Sequence, residues 1–288
     1  MADQPSAQLR SRAATRLGWT PEAWRAVAGG YTPAARYRVS AGGRKAFVKA
    51  ATTPLTGDML RREAFAYQRV RAAFMPKLLG WEDHPTEPVL IIEDLSGATW
   101  PPPWDARCLD AALAGIDAMH RTPADLHPMA EAHTSAKRGW ATVAENPAPF
   151  LALGMASSDW LTRSLPRLIE AEAQCRLDGP ALCHFDLRSD NMCIAGSGVK
   201  FIDWAEACLG DARLDLGFWL PSLAFEGGPK PQEILPDAPD VAAWVSGFFA
   251  ALAGLPDIPG APFVRRVQRE QLSTALPWAV DALGLGEL

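Results

Sequence analysis

No stretch of this 288-residue chain is long and apolar enough to cross a bilayer comfortably. The longest apolar run, Val241–Leu255, reads instead as a core helix with Trp244, Phe248 and Leu252 on one stripe. Dense clusters of Lys and Arg are also lacking, and the net charge is −5, so a nucleic-acid partner is not expected. The acidic excess is too slight to say much about the charge of a substrate. Five cysteines (Cys108, Cys175, Cys183, Cys193 and Cys208) have neither metal-type spacing nor an even-numbered framework, which fits a reducing cytoplasm. Acids are scarce in Met1–Leu17, where Asp3 stands alone among Ala, Ser and Arg. That composition distantly resembles a transit peptide, but a short surface helix ending near Gly18 is the simpler reading. No internal repeat or low-complexity segment interrupts the chain. What is present, 48% hydrophobic and 21% charged residues, suffices for one large core or two smaller ones.

Acid and amide side chains gather in Leu182–Trp204, LCHFDLRSDNMCIAGSGVKFIDW. Asp186 lies in a polar turn after Ala181-Leu182-Cys183. Asn191–Ala195 reads as a strand, Gly196-Ser197-Gly198 as a tight loop and Val199–Asp203 as the returning strand. A hairpin centred on Ser197 sets Asn191 opposite Asp203, with Cβ atoms roughly 5 Å apart. Carboxylates and an amide oxygen in one corner suit Mg²⁺ when phosphates fill its other positions. That is the core of a phosphoryl-transfer site. Read singly, Asp186 and Asn191 are turn-capping residues; the combination with Asp203 is what points to chemistry.

His184-Phe185-Asp186-Leu187-Arg188-Ser189-Asp190-Asn191, with Ile202-Asp203-Trp204 placing Asp203 twelve residues after Asn191, resembles the catalytic segment of the aminoglycoside phosphotransferase and choline kinase family. These are small-molecule kinases with a protein-kinase-like fold. The resemblance runs from about Val27 to Phe218. It implies that Asp186 orients or deprotonates the acceptor hydroxyl and that Asn191 and Asp203 hold Mg²⁺. It also sets Arg188 against the transferred phosphate, although Arg188 also reads as a plain surface cation. His184 is expected to hold the loop by packing and hydrogen bonding, and His120 to pack or cap a helix. Asp190 faces substrate or solvent. Asp215 resembles the family's aspartate that tethers the catalytic loop. Phe185 departs from the family, many members of which have glycine there.

The first part of the chain alternates strands and turns, Trp24–Ala28, Arg36–Ser40 and Ala46–Lys49, as a β-meander. Gly29, Gly30 and Thr32 fall in a turn whose N–H groups could cover phosphates, although hairpin turns need glycine for local reasons as well. Asp58–Phe74 reads as a helix with Leu60, Ala64, Tyr67 and Phe74 on its apolar stripe. Glu63 falls on that stripe, and a carboxylate on a buried side needs a cation. Lys49 is the natural partner, Glu63 in water beside Arg61 and Arg62 the alternative. The resemblance implies that the Lys49–Glu63 pair orients Lys49 toward the α- and β-phosphates. Pro88–Asp94 reads as a strand leading to Glu93 and Leu95, where the resemblance places backbone contacts to adenine. Helices are expected over Arg107–Arg121, Ser158–Arg176, Leu214–Leu223, Val241–Ala253 and Phe263–Leu283.

The expected fold is therefore α+β and two-lobed, protein-kinase-like. Residues 1–94 form a nucleotide-binding lobe with an antiparallel sheet and one main helix. Residues 95–288 form a mostly helical catalytic and acceptor-binding lobe, with a hinge near Glu93–Gly97. The expected function is ATP- and Mg²⁺-dependent transfer of the γ-phosphoryl group to a hydroxyl of a small molecule: an aminoglycoside, an amino alcohol or a sugar-like compound. The alternative is a nucleotide-binding pseudokinase serving as sensor or scaffold. No nucleic acid or membrane partner is expected, and the chain is taken as a cytoplasmic monomer or homodimer. Glu206, Asp211, Trp219 and Glu226 are candidates to line the acceptor pocket.

Overall fold

The computed structural model describes residues 4–30, 32–133, 138–196, 198–259 and 261–288. Strand-forming sequence opens the chain after helix α1 (Ala7–Leu17), which Ser6 caps and Gly18 ends at φ 70°. Strands β1 (Ala23–Ala26), β2 (Ala35–Ala41) and β3 (Arg44–Ala50) follow as a meander. Gly42 and Gly43, at φ 55° and 80°, supply the two left-handed residues of the β2–β3 hairpin. Helix α2 (Pro54–Arg69), β4 (Leu78–Glu82) and β5 (Val89–Ile92) come next. The sheet is antiparallel, in the order β1-β2-β3-β5-β4. The meander thus breaks at its end: β5 inserts beside β3 and leaves β4 at the edge.

The two-residue period of the strands decides what each face does. Ala46, Val48, Val89 and Ile91 pack with Leu9 and Ala13 of α1 in one small core. Leu90 and Ile92 join Leu60, Ala64 and Tyr67 of α2 in the main core. Lys49 shares that second face, directly across from Leu90.

Helix α2 differs from the expected Asp58–Phe74 at both ends. It starts at Pro54, because Thr53 before the proline and Thr56 after it form a reciprocal capping box. It ends at Arg69, where Val70 turns extended (φ −112°, ψ 122°). Phe74 consequently leaves the helix stripe and stacks on Trp204, with ring centroids 5.9 Å apart.

The remainder is mainly helical: α3 (Ala106–His120), α4 (Met129–Ala132), α5 (Gly139–Glu145), α6 (Ala148–Leu151) and α7 (Ser158–Gln174). Four short strands follow, β6 (Ala181–Cys183), β7 (Met192–Ala195), β8 (Gly198–Phe201) and β9 (Cys208–Gly210). They form two separate pairs, β6–β9 and β7–β8. The chain ends in α8 (Ala212–Phe225), α9 (Pro231–Ile234), α10 (Pro239–Ala253) and α11 (Val264–Leu283). Helices α4, α5, α6 and α9 were not expected from the sequence, being too short to show a period. Helix α5 crosses α10 closely: a Cβ on Gly139 would lie 1.9 Å from the Gly247 carbonyl oxygen.

The β7–β8 hairpin is one residue out of the expected register. Met192 pairs with Phe201 and Ala195 with Gly198, so the loop is two residues long rather than three. Asn191 therefore sits opposite Ile202, whose N–H it accepts at 2.9 Å, and not opposite Asp203. Loop length sets register, and Ser197, on which the expected hairpin was centred, lies outside the described residues, as does Tyr31 of the glycine turn.

Candidate active site

Helix α2 and strand β3 bring Glu63 and Lys49 together. Both are buried, 3% exposed each, and the ammonium donates to both carboxylate oxygens at 2.9 and 3.0 Å. Arg61 and Arg62 look elsewhere, to Asp83 and Glu206. Lys49 also donates to Asp203. Burial works against the Lys49 charge, but Asp203 and Glu63 outweigh it and hold its pKa above the ordinary value. Burial likewise works against the Asp203 carboxylate, and Lys49 reverses the sign and holds it low. Asp203 reaches Lys49 from a left-handed backbone (φ 62°, ψ 58°), which turns the chain out of the β8 register.

The loop carrying Asp186 hangs on buried Asp215. Its carboxylate accepts the His184 and Phe185 N–H groups at 3.1 and 2.7 Å and lies 2.8 Å from His120 Nε2. His120 is thus a partner of the tether rather than a packing or capping residue. His184 accepts the Asp186 N–H at Nδ1, which makes Nε2 the donor to the Ile202 carbonyl at 2.8 Å. It ties the Asp186 loop to the segment bearing Asp203. Burial lowers the His184 pKa, keeping the ring neutral for both bonds.

Asp186 is 32% exposed at its side chain and accepts from Arg188 at 2.7 Å and from Asn191 Nδ2 at 2.8 Å. Burial pushes its pKa up to about 7, against the pull of Arg188. Arg188 is clamped between Asp186 and Asp190, to which Nε donates at 2.9 Å. Asn191 spends its amide N–H₂ on the carbonyl and carboxylate of Asp186, both at 2.8 Å, so Oδ1 is the atom it offers outward. An outward amide oxygen and the Asp203 carboxylate are hard oxygen donors, the kind that fits Mg²⁺. His120, Cys183 and Asp215 also lie close enough to hold an ion. There, however, Asp215 is committed to the loop and burial drives the Cys183 thiol far up.

A single cavity of about 1040 Å³ joins these groups to the glycine turn and the segment after β5. Gly29 and Gly30 have φ 112° and 81°. The guanidinium of Arg36 sits against Gly30 and donates to the carbonyls of Gly29, Thr32 and Ala34 at 3.0–3.2 Å. Arg36 was missed by the sequence reading; its place opposite Lys49 in the β2–β3 register is the signal that could have found it. Glu93 and Leu95 line the cavity. Among the described residues neither the Glu93 carbonyl nor the Leu95 N–H has a hydrogen-bond partner, while the Glu93 side chain accepts from the Lys77 N–H at 3.1 Å.

Of the expected acceptor-pocket residues, only Glu206 lines this cavity. Asp211 caps α8, accepting the Arg213 N–H at 2.8 Å. Trp219 is fully buried against Trp104. Glu226 accepts from Ser189 Oγ and Trp104 Nε1, at 2.5 and 2.8 Å, and so braces the turn before Asn191. Of the stripe read as core, Trp244 is 4% exposed in the main core, and Phe248 and Leu252 are half-buried; all three also line the cavity, joined by Phe185, Phe218 and Gln271. Phe185 has φ 55°. That explains the suitability of glycine at this position, since a left-handed residue with a side chain costs roughly 1–2 kcal/mol.

A five-stranded antiparallel sheet, a buried Lys–Glu pair and an Asp–Asn–Asp cluster around one cleft define a kinase-type phosphotransferase fold. The model of the phosphotransferase enzyme family (APH) matches residues 23–251, and the chain belongs to that family. A search of curated protein sequences finds no match. Among solved structures, a thermostable mutant of aminoglycoside phosphotransferase APH(4)-Ia, in ternary complex with AMP-PNP and hygromycin B, superposes with a TM-score of 0.62 at 15% identity, covering 98% of this chain and 100% of that one. An ethanolamine kinase from Plasmodium vivax gives 0.52 at 12% identity, covering 90% and 81%. At these identities the likeness is one of fold. No helix among the described residues is long and apolar enough to cross a membrane.

Proposed function

We propose that this protein transfers the γ-phosphoryl group of ATP to a hydroxyl of a small molecule. One observation carries the reading: Lys49, paired with Glu63 and touching Asp203, shares a cavity with Asp186. Lys49 would leave Asp203 to hold the phosphates, and Glu63 would keep it aimed. Asn191 Oδ1 and Asp203 would hold Mg²⁺, which supplies neutralisation of phosphate charge when bound. Asp186 accepts the acceptor's hydroxyl proton as the new oxygen–phosphorus bond forms and the bond to the bridging oxygen of ADP breaks. Burial raises the Asp186 pKa, which makes it a stronger proton acceptor than an exposed carboxylate. Arg188, held between Asp186 and Asp190, positions Asp186 and is proposed to meet the transferred phosphate.

The adenine reading is supported by the free Glu93 carbonyl and Leu95 N–H, an acceptor followed by a donor, which complement the amino group and ring nitrogen of adenine. The left-handed glycines 29 and 30, with Thr32, are proposed to cover the phosphates. We further infer that the chain up to Asp94 is the nucleotide lobe and that the rest carries catalysis and acceptor binding, with the hinge at Glu93–Gly97. The five free cysteines agree with a cytoplasmic location. An ATP-consumption screen against hydroxylated metabolites and antibiotics tests the reading. Binding of ADP with Mg²⁺ and turnover on at least one alcohol is the expected result; a chain that binds no nucleotide refutes it.

A further inference from the structure

The acceptor side of the cavity differs in kind from the nucleotide side. Phe185, Phe218 and Phe248 are half-buried and run from the catalytic loop to α10 as an edge-to-face chain. Their centroids are 6.2 Å apart between Phe185 and Phe218, and 5.2 Å between Phe218 and Phe248. Leu252 of α10 and Leu255 just beyond its end continue the wall, which Val264 and Val267 of α11 also line. Such a surface in an enzyme cavity gains most from an apolar occupant.

Charge on this side is already spent. Glu206 is paired with Arg62 at 3.2 Å and lies 3.6 Å from His133 Nδ1, and Asp190 is paired with Arg188. A polyamine would have to compete with those cations for each carboxylate. The rings, for their part, turn edges to faces at 80° and 88°, so their faces are partly used on one another rather than assembled into a cage for a quaternary cation. Neutral polar groups remain: Thr142, Asn146, Gln268 and Gln271 line the cavity, and Gln271 is the buried one, 7% exposed, with no side-chain hydrogen bond among the described residues.

We propose that the acceptor is an uncharged alcohol with a large apolar body lying against Phe185, Phe218 and Phe248, its hydroxyl at Asp186 and a neutral polar substituent at Gln271. This rests on the phosphotransferase reading above. Phe185, standing beside Asp186, makes the catalytic loop itself part of the apolar wall. ATP is the phosphoryl donor: the alcohol's O–H proton passes to Asp186, its oxygen bonds to the γ-phosphorus, and ADP leaves with the bridging oxygen.

The test uses the full chain with ATP and MgCl₂ and three acceptors, phenylhexanol, choline and hygromycin B, with ADP release and product mass as readouts. The neutral dye N-phenylnaphthylamine, which fluoresces in apolar sites, reports the pocket without turnover. Phenylhexanol is expected to exceed both cations in kcat/KM by at least about tenfold, the scale of a few buried methylenes. Phe248→Asp should weaken dye and phenylhexanol by a similar factor, Phe248→Leu should restore most of both, and ADP binding reports that each variant is folded. Choline or hygromycin B as the best acceptor overturns the apolar assignment and leaves the phosphotransferase standing. Where no acceptor turns over, the dye decides: binding lost in Phe248→Asp upholds the apolar site, and no binding, or equal binding in the variant, overturns it. Failure to bind ADP refutes the phosphotransferase reading separately.

Discussion

The two sides of the cleft are built on opposite physics. On the side proposed for the nucleotide a lysine is buried between two carboxylates and a guanidinium pins a glycine turn. On the side proposed for the acceptor, rings and aliphatic chains line the cavity, with Gln271 the buried amide among the described residues there. Paired charges in a low-dielectric setting are directional and intolerant of displacement. Apolar walls are defined by shape and add up from many weak contacts. The first kind of site suits an invariant ligand. The second is free to vary in what it accepts, and its walls come from α5, α8, α10 and α11 rather than from one motif.

The largest effect that would break this contrast belongs to Asp186, where the two sides meet. Asp186→Asn keeps the acceptor of the Asn191 amide bond and removes the base. Turnover should fall by about 10²–10⁴-fold while calorimetry shows ADP binding intact. A variant that turns over normally would move the chemistry elsewhere in the cavity.

Lys49→Ala comes next. It strands buried Glu63 as well as losing the phosphate contact, so stability should drop by about 3–5 kcal/mol together with ADP affinity. Adding Glu63→Gln should recover stability but not ADP binding. If Lys49→Ala melts and binds like the parent, the nucleotide side does not depend on paired charge.

The acceptor side should instead respond to shape. Gly139→Ala puts a methyl into the Gly247 carbonyl and pushes α5 off α10, at a cost of about 1–3 kcal/mol. Acceptor KM should rise with it, whereas ADP affinity should not. Equal losses for both ligands would show that the two walls are not separable.

The smallest effect is a pH dependence. Glu172, 1% exposed, accepts the Trp140 and Ala141 N–H groups at 3.1 and 3.4 Å and so pins the start of α5. Burial raises its pKa to about 6 despite those bonds. The folded state therefore holds the proton more tightly than the unfolded chain. This contribution is fully present below the ordinary glutamate value and is lost as pH rises through about 6, an effect of about 1–2 kcal/mol. Thermal melts of Glu172→Gln across that range should lack this component. An identical pH profile in both proteins would remove Glu172 as its source.

The charged cluster of the candidate site was largely legible in the sequence because most of its parts are local. Asp186, Asn191 and Asp203 fall within eighteen residues, counted inclusively, and Glu63 betrayed itself as a charge on an apolar helix stripe. Even there the register was missed by one, since a two-residue loop and a three-residue loop are hard to tell apart around Gly196–Gly198. The acceptor side was not legible. Trp244, Phe248 and Leu252 have the spacing of a buried stripe, and periodicity reports that a face is covered without saying whether protein or ligand covers it. Glu206, Asp211, Trp219 and Glu226 were suspected from position alone, and only Glu206 reaches the cavity. The others went to a helix cap, a core and a brace for the catalytic turn.

By itself the sequence determined the antiparallel sheet, the helical second half and the identity of the charged cluster, because strand alternation, helix stripes and the 184–203 segment are short-range patterns. Only the tertiary structure decided that Asp203 meets Lys49 through a left-handed turn, that Phe74 lies beyond α2 and stacks on Trp204, and that Phe248 and Leu252 of α10 line a cavity. Each of those depends on how distant elements cross, and a crossing such as Gly139 over Gly247 is fixed by contact between segments more than a hundred residues apart in sequence.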